Sequence, residues 1–87
     1  MYLHIGNNIS IPSDDIIGIF DIDNATTSKA TRNYLKTAED EGMLTAVSGE
    51  LPKSLIVSCP RGSWQRVYIS PLAPATLLGR LESIRKH

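Results

Sequence analysis

The sequence predicts a small α+β domain in which a mostly antiparallel sheet carries two helices, in the order βββ-α-βββ-α. Three observations lead there. Short stretches that alternate apolar and polar residues, bounded by Gly, Pro, Asn and Ser, have the signature of strands. Two longer stretches space their apolar residues three to five apart, as one face of a helix requires. The strands also come in runs instead of alternating singly with helices, which argues against a parallel α/β sheet.

The elements follow in order along the chain. Tyr2-Leu3-His4-Ile5 and Ile9-Ser10-Ile11 alternate on either side of Gly6-Asn7-Asn8, so they predict a hairpin. Ile16-Ile17-Gly18-Ile19-Phe20, leading into Asp21-Ile22-Asp23, is apolar on both faces and rich in β-branched residues. Such a strand is expected to be covered on both sides. In so small a chain, one of the covers is expected from a second copy. Asn24-Ala25-Thr26-Thr27-Ser28 supplies helix-capping side chains. The helix that follows spans about Ser28 to Glu41, with Ala30, Tyr34, Leu35 and Ala38 on one face. Gly42 is suited to the left-handed position past its end, with Met43 and Leu44 folding back. Glu39, Asp40 and Glu41 oppose the helix dipole in the last turn and predict a frayed end.

Leu44-Thr45-Ala46-Val47 reads as a short strand, and Ser48 to Pro52 as a loop. Lys53 to Ser58 is the next strand, and Cys59 to Ser63 turns the chain. Trp64 to Ser70 alternates, with Gln65, Val67 and Ile69 on one face and Trp64, Arg66, Tyr68 and Ser70 on the other. Pro74 opens the last helix. Its stripe is Leu77, Leu81 and Ile84 with Leu78 beside it, and Arg85, Lys86 and His87 complement its negative end.

With 87 residues, 41% hydrophobic and 21% charged, the chain is expected to form one globular domain over residues 1–87. Nine Lys/Arg balance nine Asp/Glu, which excludes a uniformly basic nucleic-acid binder. A lone cysteine, Cys59, fits a reducing compartment. No apolar run is long enough to span a bilayer, and Met1 to Gly6 lacks the charged and apolar regions of a signal peptide. The expectation is a cytoplasmic protein with no membrane contact. Five aromatic residues, Tyr2, Phe20, Tyr34, Trp64 and Tyr68, are a thin stock for a core at this size and favour self-assembly.

No residue set predicts catalysis. Asp21-Ile22-Asp23-Asn24 at a strand end is similar to a phosphotransfer motif. That chemistry also needs a lysine and further carboxylates around the phosphate and its metal, and Ala25 stands where Thr or Val is needed. A solvated strand end entering a helix accounts for it. As a calcium loop the stretch fails, because Thr26 and Arg32 occupy the Gly and Glu positions. Cys59 has no nearby histidine, since His4 and His87 lie near opposite termini, and it is expected to be a half-buried thiol. No enzyme activity, cofactor, metal or small-molecule substrate is expected.

Charge is distributed unevenly along the chain. Residues 1–44 hold three cations and seven carboxylates, net −4, and residues 45–87 hold six cations and two carboxylates, net +4. Copies could pair head to tail through these halves, or the signs could interleave within one folded chain. Trp64, Arg66 and Tyr68, with Arg61 in the turn, form a cation-aromatic strand face of the kind found both in nucleic-acid binders and in subunit interfaces.

Several strings in sequence carry a family resemblance: Met1-Tyr2-Leu3-His4-Ile5-Gly6, Ile16-Ile17-Gly18-Ile19-Phe20-Asp21, Pro52-Lys53-Ser54-Leu55-Ile56-Val57, and Tyr68-Ile69-Ser70-Pro71-Leu72 with Thr76-Leu77 and Arg80. Together, over roughly residues 1–81, they resemble the RemA/RemB family of bacterial extracellular-matrix (biofilm) regulators, and look nearest its RemB branch. The resemblance implies a cytosolic, ring-forming homo-oligomer tied to transcription of matrix genes, with a fold resembling LytTR DNA-binding domains and promoter DNA as a partner. RemA-type members carry Asn-Arg where this chain has Asp14-Asp15, and Gly-Arg-Arg-Thr-Arg where it has Gly49-Glu50-Leu51-Pro52-Lys53. The DNA-contacting arginines implied there are thus replaced by Asp15, Glu50 and Leu51, which predicts weak DNA binding. The expected nucleic-acid contacts are Lys53, Arg61 and Arg66. The expected interface or stacking residues are Trp64, Tyr68, Ile17 and Ile19. The alternative expectation is an oligomeric protein-interaction scaffold that has lost DNA binding.

Overall fold

The structure is a computed structural model that describes residues 1–85; Lys86 and His87, expected at the end of the last helix, lie outside the described residues. It is α+β, with the strands and both long helices in the expected order. The hairpin pairs β1 (Tyr2–Gly6) with β2 (Ile9–Pro12). It is a separate two-stranded sheet. A 3-10 turn, Ser13–Asp15, leads into β3 (Ile16–Asp21). A one-turn helix α1 (Ile22–Ala25) precedes α2 (Lys29–Asp40). Then come β4 (Leu44–Ala46), β5 (Ser54–Ser58), β6 (Arg66–Ser70) and α3 (Pro74–Arg85).

The main sheet runs β3-β5-β6-β4. Its β3–β5 and β5–β6 pairs are antiparallel, whereas β4 lies parallel to β6. Local sequence does not specify that parallel pair, because β4 reaches β6 across the intervening β5. Two apolar layers sandwich the sheet. On one face, Ile16 and Ile56 pack against the hairpin residues Leu3, Ile5 and Ile11 and against Leu77 and Leu81 of α3. On the other, Leu55 and Val67 pack against Ala38 and Leu35 of α2. The helix stripes expected from the sequence are thus the ones that face the sheet, although Tyr34 and Leu78 remain exposed.

Local chemistry explains the element boundaries. The Asp21 carboxylate accepts from the backbone N–H groups of Asp23, at 2.9 Å, and Asn24, at 3.4 Å. It is an N-cap, so the Asp-x-Asp string starts a helix. The expected fraying at the end of α2 does not occur. Gly42 sits at φ 73°, Met43 N–H donates to the Ala38 carbonyl at 2.8 Å, and Gly42 N–H donates to Glu39 at 3.1 Å. This pair of bonds is a Schellman motif, and it closes the helix despite the acidic last turn. Arg85 lies in the last turn of α3 as expected and also donates to the carbonyls of Ser13 and Ile16. That contact ties the helix to the start of β3.

The hairpin turn holds both Asn7 and Asn8 at positive φ, 47° and 63°. A two-residue turn of this hand favours Asn followed by Gly. Asn7 also donates from Nδ2 to the Val47 carbonyl at 3.0 Å, so it does a second job that glycine could not. Asn8 has no side-chain bond among those of the described residues. Asn8→Gly should therefore stabilise the protein by about 0.5–1 kcal/mol by relieving the left-handed strain. Urea unfolding with an unchanged slope and a raised midpoint is the expected result.

Candidate functional site

The sequence feature that stood out, the doubly apolar strand, becomes β3, and β3 is an edge of the main sheet. Its pairing with β5 matches Ile16 to Ser58 and Gly18 to Val57, which leaves Ile17 as an extra, bulged residue. The bulge shifts the alternation by one, so Ile19 shares a side with Ile16 and Phe20 shares the other with Ile17. Ile16 is buried and Ile19 half-buried against the α3 layer, whereas Ile17 is 59% and Phe20 49% exposed. This chain therefore covers one side of the strand well and leaves two large apolar side chains open on the other.

Those side chains form one wall of an open groove of about 460 Å³ between β3, β5 and α2. Ile17 and Phe20 face Tyr34 and Leu35 across a floor of Leu55 and Val57. Tyr34 Oη donates to Gln65 Oε1 at 2.8 Å and fixes one end. The Phe20 ring lies over Gly18, where a Cβ would come within 2.6 Å of the ring's Cζ. Gly18 is thus the residue that lets the ring fold flat along its own strand. Of the groove, the sequence singled out Ile17 alone as an interface residue. Tyr34 and Leu35 were expected in the core because helical periodicity cannot tell a covered stripe from a half-covered one.

Trp64, Arg66 and Tyr68 do not share one exposed face. β6 begins only at Arg66, because its partner β5 ends at Ser58 directly opposite. Tyr68 is half-buried against the α3 layer. Trp64 precedes the strand and is 83% exposed. It borders a second hollow, of about 450 Å³, with Glu41, Met43, Gln65 and Arg66. Arg61 lies in the exposed turn just before, where Ser63 N–H donates to the Pro60 carbonyl at 3.0 Å and Gly62 adopts φ 74°. Cys59, expected to be half-buried, is exposed, because its position lies past the end of β5, with its N–H bonded to the Asp15 carbonyl.

The three cations expected at nucleic acid are not gathered in one place. Lys53 immediately precedes β5, whereas Arg66 pairs with Ser58 at the far end of that strand, a separation of roughly 15 Å at the usual strand rise. Arg61 and Arg66 share one end of the sheet, and Lys53 shares the other with Glu50 and Leu51. Among the described residues, the side chains of Lys53, Arg61 and Arg66 make no hydrogen bond or ion pair, and neither do those of Asp14, Asp15, Asp23, Glu39, Asp40 and Glu41. Those acidic and basic side chains therefore do not neutralise each other pairwise among the described residues. No three His, Cys, Asp or Glu side chains converge as metal ligands among the described residues, and no helix there is long and apolar enough to cross a membrane. The surface can offer an apolar groove, an exposed aromatic flanked by guanidinium groups, and unpaired charges of both signs. These are means of binding.

Two similarities bear on what is bound. Residues 2–81 match a model of the RemA-like family, described as extracellular matrix regulatory protein A-like. The chain is also similar to Extracellular matrix regulatory protein B of Bacillus subtilis (strain 168), with 34% identity over 82 residues, which cover 94% of this chain and 91% of that protein.

Proposed function

Since the chain belongs to the RemA-like family of extracellular matrix regulatory proteins, we propose that it is a bacterial cytoplasmic regulator of matrix-gene transcription that works as a homo-oligomer and contacts DNA weakly. One observation carries the assembly part of this reading: Ile17 and Phe20 stand open on an edge strand and wall an apolar groove. Large contiguous apolar surfaces of this kind on soluble proteins mark interaction sites. A small domain that lacks apolar cover on one side gains it from a second copy.

The DNA contact is the weaker component. Phosphate contacts supply most non-specific affinity, and this chain is neutral with its candidate cations split between two ends of the sheet. Asp15, Glu50 and Leu51 stand at positions where the family resemblance implies basic residues. Assembly would multiply the few remaining cations, so a ring could hold DNA where a protomer could not.

Light scattering on the eluting protein, over a concentration series, tests the assembly. The expected mass is a multiple of the 9.5 kDa chain, and a constant single-chain mass would refute it. Promoter-fragment binding over a salt series tests the DNA contact. Affinity should fall steeply with salt, and Lys53→Glu should make the slope shallower by about one unit per engaged copy. The separation of Lys53 from Arg61 and Arg66 favours a second reading, a scaffold that assembles without DNA. That reading predicts full assembly with no retained DNA at physiological salt.

A further inference from the structure

Trp64 is the chain's single tryptophan and, at 83% exposure, the most exposed large apolar residue it has. Nothing in the fold uses it. The chain's own groove does not receive it, because Gln65, held by Tyr34, lies at the groove wall while Trp64 borders the hollow beside Glu41. Its flanks are basic, with Arg61 and Arg66 both exposed and without side-chain partners among the described residues.

The groove is the converse surface. It is apolar and, at about 460 Å³, lies in the size range that encloses bulky aromatic groups. The strand that walls it is bracketed by carboxylates, with Asp14 and Asp15 just before β3 and Asp21 and Asp23 at and just past its end. The cations of α2 do not spoil this match. Arg32 is engaged with the Thr26 and Thr27 carbonyls, and Lys29 and Lys36 are not among the groove's lining residues. An exposed aromatic between two arginines and an apolar groove between two pairs of aspartates are complementary in both shape and charge.

We infer that Trp64 of one copy seats in the β3–α2 groove of the next, with Arg61 and Arg66 directed at the aspartates that bracket β3. The inference deepens the assembly reading above and rests on it. A contact made one way leaves a groove free on one copy and a tryptophan free on the other, so it can pass head-to-tail from copy to copy and close into a ring if the rotation allows, whereas a two-fold pair would use both surfaces at once. An aromatic flanked by arginines is the residue pattern that dominates binding energy at such contacts.

The protein carries its own probe, since its fluorescence comes from this one indole. On concentration the emission of the wild-type chain should move to shorter wavelength as Trp64 leaves water, in step with the rise in mass. Trp64→Ala and Ile17→Asp change exposed side chains, so both should keep the wild-type far-ultraviolet dichroism and melting curve, yet run as single chains. Mixing the two variants should restore a two-copy complex and nothing larger, because one supplies the intact groove and the other the intact tryptophan. The double variant Arg61→Asp/Arg66→Asp, which keeps the indole, should also lose mass, most strongly at low salt. Wild-type mass in Trp64→Ala would overturn the inference while leaving assembly standing. So would wild-type mass with DNA retention lost, which would make Trp64 a base-stacking residue. A wild-type chain that is single at every concentration would instead remove the assembly reading itself.

Discussion

Leu77→Ala should cost about 2–5 kcal/mol of stability. The side chain is fully buried in the layer where α3 meets the hairpin residues Leu3, Ile5 and Ile11 and the sheet residue Ile56. Truncation leaves a void bounded by three separate elements, none of which can collapse into it without dragging its own strand or helix. Domains of this size commonly hold about 5–15 kcal/mol in total, so one substitution removes a large share. For a domain of 60–100 residues each kcal/mol lowers the melting temperature by about 4–8 °C. A melting curve lowered by at least about 8 °C is expected, and a shift within a few degrees would mean that α3 contributes little to this core.

Ser70→Ala should be nearly as damaging although it removes a single oxygen. Ser70 is fully buried on β6, and its Oγ donates to the Ile5 carbonyl at 2.6 Å while accepting from Leu72 N–H at 3.0 Å. Ile5 belongs to the hairpin, so this hydroxyl is a polar bridge between the two sheets. Its loss leaves a buried carbonyl and an amide unpaired, at about 1–3 kcal/mol each. Chemical unfolding of Ser70→Ala against Ser70→Thr separates the hydroxyl from its volume. Thr retains the oxygen but adds a methyl to a packed site. If Ala proves as stable as wild type, solvent reaches these groups and the bridge is not needed.

Much of the architecture was legible from residue order. Gly6-Asn7-Asn8 marked the hairpin, Ser28 and Gly42 bounded the long helix, and Leu77, Leu81 and Ile84 defined the face of the last one. What escaped depended on contacts distant in sequence. The parallel pairing of β4 with β6 leaves no trace in either strand's own pattern. Gln65 reads as a strand residue, yet β5 ends at Ser58 opposite Arg66 and leaves it without a ladder partner. Tyr68 alternates correctly with Trp64, yet the strand starts too late for both to share an exposed face. The end of α2 shows the opposite failure, since the dipole argument against Glu39, Asp40 and Glu41 was sound but smaller than two backbone bonds and a left-handed glycine. Of the groove, the doubly apolar run predicted large apolar side chains on both sides of β3, and that much could be read locally. The other wall, Tyr34 and Leu35, looked like core because periodicity reports a face and not the extent of its burial.

The bulge at Ile17 has a consequence for solubility. An unprotected apolar edge strand is a template on which further chains can add indefinitely into fibrils. β3 carries its own gatekeepers against that outcome: carboxylates at either end that repel an identical strand laid alongside, and a bulged residue that breaks the flat ladder such stacking requires. The strand is hostile to its own kind, so replacing Asp15 and Asp21 with neutral residues would be expected to trade solubility for amorphous or fibrillar growth.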